Sequence, residues 1–259
     1  MPRFAANLTM LFTEVPFLER FGLARAAGFS GVEYLFPYAW PADTLAKELS
    51  RHELTQVLFN LPPGDWDAGE RGIACLPGRE QEFHEGVQQA LKYAKALDCR
   101  RINCLAGLKP MDVDEPVAWQ TLVANVRYAA ECLQAEGITL CLEAINSRVD
   151  MPGFMLDTSE RVMALIRDVD ADNVRLQYDL YHMQIMEGDL IRRIEHLLPW
   201  IGHIQFADNP GRHEPGTGEI NFSNVFGALD RLGYTGWLSA EYHPQQGTGR
   251  SLGWLMAGR

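Results

Sequence analysis

No apolar run in this sequence approaches the roughly 18 residues needed to cross a bilayer, so a membrane span is excluded. Cysteine is scarce: Cys75, Cys99, Cys104, Cys132 and Cys141 form an odd set with no C-x-x-C spacing, and no disulfide framework is expected. Cys104, Cys132 and Cys141 sit in apolar segments and read as small buried hydrophobes, in keeping with a reducing, cytoplasmic setting. Met1-Pro2-Arg3-Phe4 runs straight into strand-like sequence, without a signal-peptide core. Basic residues are short too. With 23 Lys and Arg against 34 Asp and Glu the net charge is −11, which argues against a nucleic-acid surface, since that needs clustered basic residues. A small anionic substrate stays open, because one local arginine can hold it.

Familiar motifs are missing as well. The chain has no Gly-rich dinucleotide fingerprint after its first strand, no phosphate-cradling loop and no serine nucleophile elbow. A doubly wound open sheet thereby loses its main support. Asp65-Trp66-Asp67-Ala68-Gly69-Glu70 superficially resembles a calcium loop but lacks the flanking helices and the later bidentate glutamate.

What the sequence does contain is alternation of strand-like and helix-like segments from end to end. Phe4 to Leu8, Gly31 to Phe36, Leu54 to Leu61 and Arg101 to Leu105 read as strands. Helices are expected over Val15 to Ala27, Ala42 to His52, Glu80 to Leu97 and Pro116 to Glu136, with a long irregular loop over Pro62 to Arg79. Four more strands follow, with Asp157-Thr158-Ser159-Glu160 capping one intervening helix and Asn221 to Leu232 forming another. Eight strands alternating with helices in 259 residues predict an α/β fold, a single (β/α)8 barrel domain over 1–259 with no linker.

The last four strand-like runs each end on an oxygen-bearing side chain: Glu143, Asp179, Gln205 and Glu241. Their spacings of 36, 26 and 36 residues match one strand plus one returning helix. In a parallel barrel all strand C-termini open on one face, so three carboxylates and one amide would converge. Carboxylates that close repel unless protonated or neutralised, and the economical neutraliser is a divalent cation. An all-oxygen set suits Mg²⁺ or Mn²⁺ better than Zn²⁺, and the neutral Gln205 leaves the loaded site at net −1. Each of these residues alone is weak; an isolated Glu at a strand end is usually a solvated loop residue or a cap.

Other polar residues share that face. His182, three residues after Asp179, is placed to reach a substrate oxygen. Asn7, Asn60 and Asn103 lie at the ends of the first, third and fourth strands, as helix caps or substrate contacts. Asp208 and Arg212 follow Gln205 in a loop. Arg71, in the long loop, would clamp an anion or brace the loop. His203 reads as a core histidine.

Over nearly its whole length the chain resembles the hydroxypyruvate isomerases and their relatives the 2-oxo-tetronate isomerases, within the xylose-isomerase-like TIM-barrel superfamily. The resemblance is carried by Arg3-Phe4-Ala5-Ala6-Asn7-Leu8, Phe36-Pro37-Tyr38, Pro63-Gly64-Asp65-Trp66, Ala68-Gly69-Glu70-Arg71-Gly72, Leu76-Pro77-Gly78-Arg79-Glu80 and Gly216-Thr217-Gly218-Glu219-Ile220-Asn221. It implies that Glu143, Asp179, Gln205 and Glu241 bind the metal and that Glu143 and Glu241 are the acid/base pair. Ala144, Phe59 and His243 depart from residues common in relatives, and the last two adjoin the pocket that selects the substrate.

The expected chemistry is isomerisation of a small 2-oxo-3-hydroxy acid through an enediolate, with two carboxyl groups moving the proton between adjacent carbons. Arg212, Arg71 or His182 would hold the substrate carboxylate. A ketose 3-epimerase is the nearest rival, disfavoured because those relatives carry His where this chain has Gln205. A non-catalytic sugar-acid-binding barrel is a further alternative, and it would not need two flanking acids. A homo-oligomer is compatible with the sequence.

Overall fold

The strand-like runs are short, from three residues to six, and such strands are protected best in a sheet without edges. The computed structural model, which describes residues 3–257, closes them into a barrel. The strands are β1 (Arg3–Asn7), β2 (Gly31–Glu33), β3 (Thr55–Asn60), β4 (Arg101–Cys104), β5 (Thr139–Glu143), β6 (Val174–Asp179), β7 (Ile201–Phe206) and β8 (Trp237–Ala240). They pair in parallel in sequence order, and β8 returns to β1. The helices are α1 (Arg20–Ala26), α2 (Ala42–Arg51), α3 (Glu80–Ala96), α4 (Glu115–Gln134), α5 (Ser159–Val169), α6 (Leu180–Met186), α7 (Leu190–Leu197), α8 (Phe222–Arg231), α9 (Thr248–Ser251) and α10 (Gly253–Ala257). The expected (β/α)8 architecture is the one observed. No helix among the described residues is long and apolar enough to cross a membrane.

Two expectations are revised. The helix read over Val15 to Ala27 starts later, with a 3₁₀ turn at Phe17–Glu19 leading into α1. Pro16 adopts an extended ψ of 149°, and the residue before a proline is steered away from helical geometry. Between β6 and β7 the chain makes two helices, α6 and α7. They are separated where Gly188 and Asp189 both take positive φ, 66° and 47°. Cys104 and Cys141 are buried as expected, whereas Cys132 is half-buried.

The barrel interior is layered because residues two apart on a strand face the same way. Gly31 belongs to the lower layer, where an added Cβ would lie 2.7 Å from the Trp237 ring; the absent side chain makes room for the tryptophan. Two residues on, Glu33 enters the upper layer. The same step leads from Ala5 to Asn7, Cys141 to Glu143, Gln177 to Asp179, His203 to Gln205 and Ser239 to Glu241. All of these are buried. Residues without a carboxylate thus lie below an oxygen-rich layer at the C-terminal mouth.

Candidate active site

Parallel register puts Asp179 beside Gln205 and Glu143 beside Gln177, and Glu241 follows β8 by one residue. All four residues read from the sequence as ligands, Glu143, Asp179, Gln205 and Glu241, lie buried at this mouth. One donor atom from each of Glu143, Asp179 and His182 fits within a mutual 4.8 Å. Asp179 Oδ1 accepts the Tyr181 backbone N–H at 2.8 Å, while its Oδ2 is buried with no hydrogen-bond partner. A buried acceptor without a donor is costly unless a cation or ligand completes it. Burial pushes the Glu143 carboxyl well above its ordinary range, and the negative fields of Glu241 and Asp179 add to the push. Burial likewise lifts Asp179 to about 6 and Glu241 to about 8, partly countered in both by Arg212. The donor set therefore fits a hard divalent cation, whose charge would relieve this mutual repulsion.

Arg212 spans the site. Its guanidinium donates to Glu241 Oε2 at 2.7 Å and Asp150 Oδ1 at 3.3 Å, lies 3.8 Å from Asp179 Oδ2, and stacks over Tyr181. Its backbone is left-handed, with φ 56°, at a cost of roughly 1–2 kcal/mol for a residue with a Cβ. Asp208 builds this loop: its two oxygens accept the backbone N–H groups of Asn209, Gly216, Gly218 and Ile220.

His182 is oriented by Asn146. The Asn146 Oδ1 accepts the N–H groups of Val149 and Asp150, which fixes its Nδ2 as the atom facing His182 Nδ1 at 2.7 Å. A donor at Nδ1 makes that nitrogen the acceptor and leaves the hydrogen on Nε2. That N–H points at Glu143 Oε1 (3.8 Å) and Asp179 Oδ2 (3.7 Å). Burial, with Arg212 nearby, pulls the imidazole well below its ordinary pKa and holds it neutral. In this tautomer His182 is a hydrogen-bond donor to the site, and its Nε2 has no free lone pair to offer a cation.

Asn7 and Asn103 are engaged with carboxylates, and Asn60 is bonded to Asn103. Asn103 Nδ2 donates to Glu143 Oε2 (3.2 Å) and Asn60 Oδ1 (3.1 Å). Asn7 Nδ2 donates to Glu241 Oε1 (2.8 Å) and Glu33 Oε1 (3.0 Å). Arg71 braces its own loop, donating to the backbone oxygens of Trp66 and Glu70 and lying 4.1 Å over the Trp66 ring. Asn146, Asp150, Gln177 and Glu33 went unread in the sequence. Glu33 had a signal, a charged residue inside an apolar strand. Burial pushes its carboxyl up, but His203 and the hydrogen bonds from His203 and Gln205 more than offset this, so it stays below its ordinary range. His203 is the buried histidine expected, with Nε2 donating to Glu33 Oε2 at 2.7 Å.

A family model for the xylose isomerase-like TIM barrel matches residues 21–257. The chain is 49% identical over 255 residues to a hydroxypyruvate isomerase of Escherichia coli (strain K12), covering 98% of each. It is 47% identical, with the same coverage, to a 2-oxo-tetronate isomerase of Cupriavidus necator. A crystal structure described as an AP endonuclease, family 2, from Brucella melitensis superposes with TM-score 0.97 at 50% identity over all of both chains. With this barrel, this mouth and these relatives, the chain belongs to the hydroxypyruvate isomerase family of xylose isomerase-like TIM barrels.

Proposed function

We propose that the protein isomerises a small 2-oxo-3-hydroxy acid: hydroxypyruvate to tartronate semialdehyde, or 2-oxo-tetronate to 3-oxo-tetronate. The observation that carries this reading is the pair of buried glutamates, Glu143 and Glu241, on strands separated by two others at the mouth of a chain 49% identical to a hydroxypyruvate isomerase. Burial raises both carboxyls, Glu241 to about 8, and so favours the protonated form that a general acid needs.

In the forward direction one glutamate, as carboxylate, takes a proton from the hydroxyl-bearing carbon. The other, as carboxylic acid, gives a proton to the neighbouring carbon. The hydroxyl proton passes from one oxygen to the other, so the formula is unchanged. The His182 Nε2–H donates to a substrate oxygen. Arg212 offsets the substrate carboxylate, which would otherwise meet only acidic groups. Glu143, Asp179, Gln205 and Glu241 would hold Mg²⁺ or Mn²⁺, and such a cation, when bound, polarises the carbonyl as a Lewis acid. Gln205 Oε1 accepts from Gln177 Nε2 at 2.6 Å and keeps a second lone pair for that role. Five free cysteines, four of them buried, support a reducing cytoplasmic location.

The description of the Brucella structure as an AP endonuclease suggests a second reading, an endonuclease acting on a nucleic acid. A net charge of −11 supports it less, because a polyanion must be met by clustered cations. The test is a panel of three- and four-carbon oxo acids assayed with Mg²⁺ or Mn²⁺. Isomerisation of at least one, abolished by a chelator and restored by metal, is expected; inactivity on the whole panel, or full turnover after chelation, would refute the reading.

A further inference from the structure

Glu33 has no task in the chemistry proposed above, yet it is fully buried at the barrel mouth and holds three partners. Its Oε2 accepts His203 Nε2–H at 2.7 Å. Its Oε1 accepts one N–H of Asn7 (3.0 Å) and one of Gln205 (2.8 Å). The second N–H of each amide goes to a single atom, Glu241 Oε1, at 2.8 Å from Asn7 and 3.1 Å from Gln205. Glu33 Oε1 and Glu241 Oε1 are thus bridged twice by amide groups, in a closed ring of hydrogen bonds. We infer that Glu33 is a positioning residue: through Asn7 and Gln205 it fixes the orientation of the Glu241 carboxyl from the Oε1 side, while Arg212 holds Oε2. This rests on the reading of Glu241 as a proton carrier.

The geometry has a directional logic. An amide has a donor end and an acceptor end, and it can turn over unless its surroundings distinguish them. A carboxylate accepts only, so Glu33 holds the NH₂ ends of both amides inward. Their oxygens are taken on the far side, Asn7 Oδ1 by the Thr9 N–H at 3.0 Å and Gln205 Oε1 by Gln177 Nε2 at 2.6 Å. Without the Glu33 acceptor either amide can rotate, and the Glu241 carboxyl then loses both donors on Oε1 and keeps only Arg212 on Oε2. Oriented carboxylates of this kind lose function when the groups behind them are removed, typically by about 10–100-fold.

The experiment uses the full chain at saturating Mn²⁺, with Mn²⁺ affinity read by calorimetry and folding by thermal melting on the same samples. Glu33→Met keeps the length without an acceptor; Glu33→Gln keeps one carbonyl oxygen that can take both amide N–H groups. For Glu33→Met we expect kcat for isomerisation to fall about 10–100-fold, with KM within about threefold of the parent because Arg212 and His182 are untouched. Deuterium wash-in from heavy water, followed from both hydroxypyruvate and tartronate semialdehyde, should survive from the side served by Glu143 and fall from the side served by Glu241. Glu33→Gln should recover most of kcat. A folded Glu33→Met with parental kcat overturns the inference, and so does an equal loss of exchange on both sides, which would indicate general damage. Should Glu33→Met not fold, Asn7→Ala severs one bridge while leaving the Glu33–His203 pair, and must show the same one-sided loss. Glu241→Gln in the same assay separates the two readings. If it still isomerises, the role of Glu241 falls; if it is inactive while Glu33→Met is parental, only the positioning role falls.

Discussion

Around Glu143, on β5, one carboxylate oxygen has the Asn103 amide as donor and the other faces His182 from 3.8 Å. Next to it, Asp179 Oδ2 has no partner. Around Glu241, beyond β8, one oxygen takes N–H groups from Asn7 and Gln205 and the other takes the Arg212 guanidinium. Two side chains of identical chemistry are therefore held in opposite ways. The β5–β6 half is rich in open acceptors and suits a cation. The β7–β8 half is tied down by fixed donors, which hold the Glu241 carboxyl in one orientation. The contrast teaches that one barrel mouth can hold two glutamates at very different hydrogen-bond density, with freer lone pairs around one and a fixed carboxyl plane at the other.

The strongest way to break this contrast is to neutralise each glutamate in turn. Glu143→Gln and Glu241→Gln should each lower kcat by about 10²–10⁴-fold, the range for a general acid or base. Mn²⁺ affinity should suffer more from Glu143→Gln, in the open half; equal losses by calorimetry would erase the difference between the halves. Next in size, Arg212→Ala removes a charge-assisted contact of about 1.5–3 kcal/mol, a drop of roughly 10–150-fold in kcat/KM on an oxo acid. An uncharged hydroxyketone should lose far less, and equal losses would make Arg212 a loop support. Asp179→Asn should weaken metal binding on the order of 10–100-fold, with turnover partly recovered at high metal. Parallel, unrecoverable loss of both would show that Asp179 does more than hold the cation.

The smallest effect is on stability. Glu241 sits at about 8 in the folded chain against about 4.3 unfolded. A raised folded value stabilises fully below the unfolded one, and that contribution is lost as pH climbs through about 8. Metal replaces the departing proton, so the gain in Tm from added Mn²⁺ should widen by a few degrees between pH 7 and 8. A gain that stays flat or narrows over that window would contradict the raised Glu241 carboxyl.

Much of the barrel was legible because each strand is a short apolar run and each returning helix has its own period. β5 to β8 were found with the oxygen side chains at their ends, and register did the rest. The doubled helix between β6 and β7 was not, since its break depends on Gly188 and Asp189 taking positive φ, which the letters allow without demanding. Asn7, Asn60 and Asn103 were placed at the right strand ends, but their partners are each other and the carboxylates. Those contacts join residues far apart in the chain, Asn7 to Glu241 among them, and exist only once the barrel closes. Glu33 was hidden for the same reason: it stood inside a run read as continuing to Phe36, while β2 ends at Glu33 itself. Asn146 and Asp150 belong to a loop whose only prior signal was polarity.

The central claim is that two different carboxyl groups share one proton transfer. Its most direct test is turnover of hydroxypyruvate by the Mg²⁺- or Mn²⁺-loaded protein in heavy water, followed by proton NMR. Because the proton given to the second carbon comes from a group that exchanges with solvent, tartronate semialdehyde should form with deuterium at that carbon. Product that instead retains the substrate's own hydrogen there would mean direct transfer between the carbons, and would contradict the division of labour between Glu143 and Glu241.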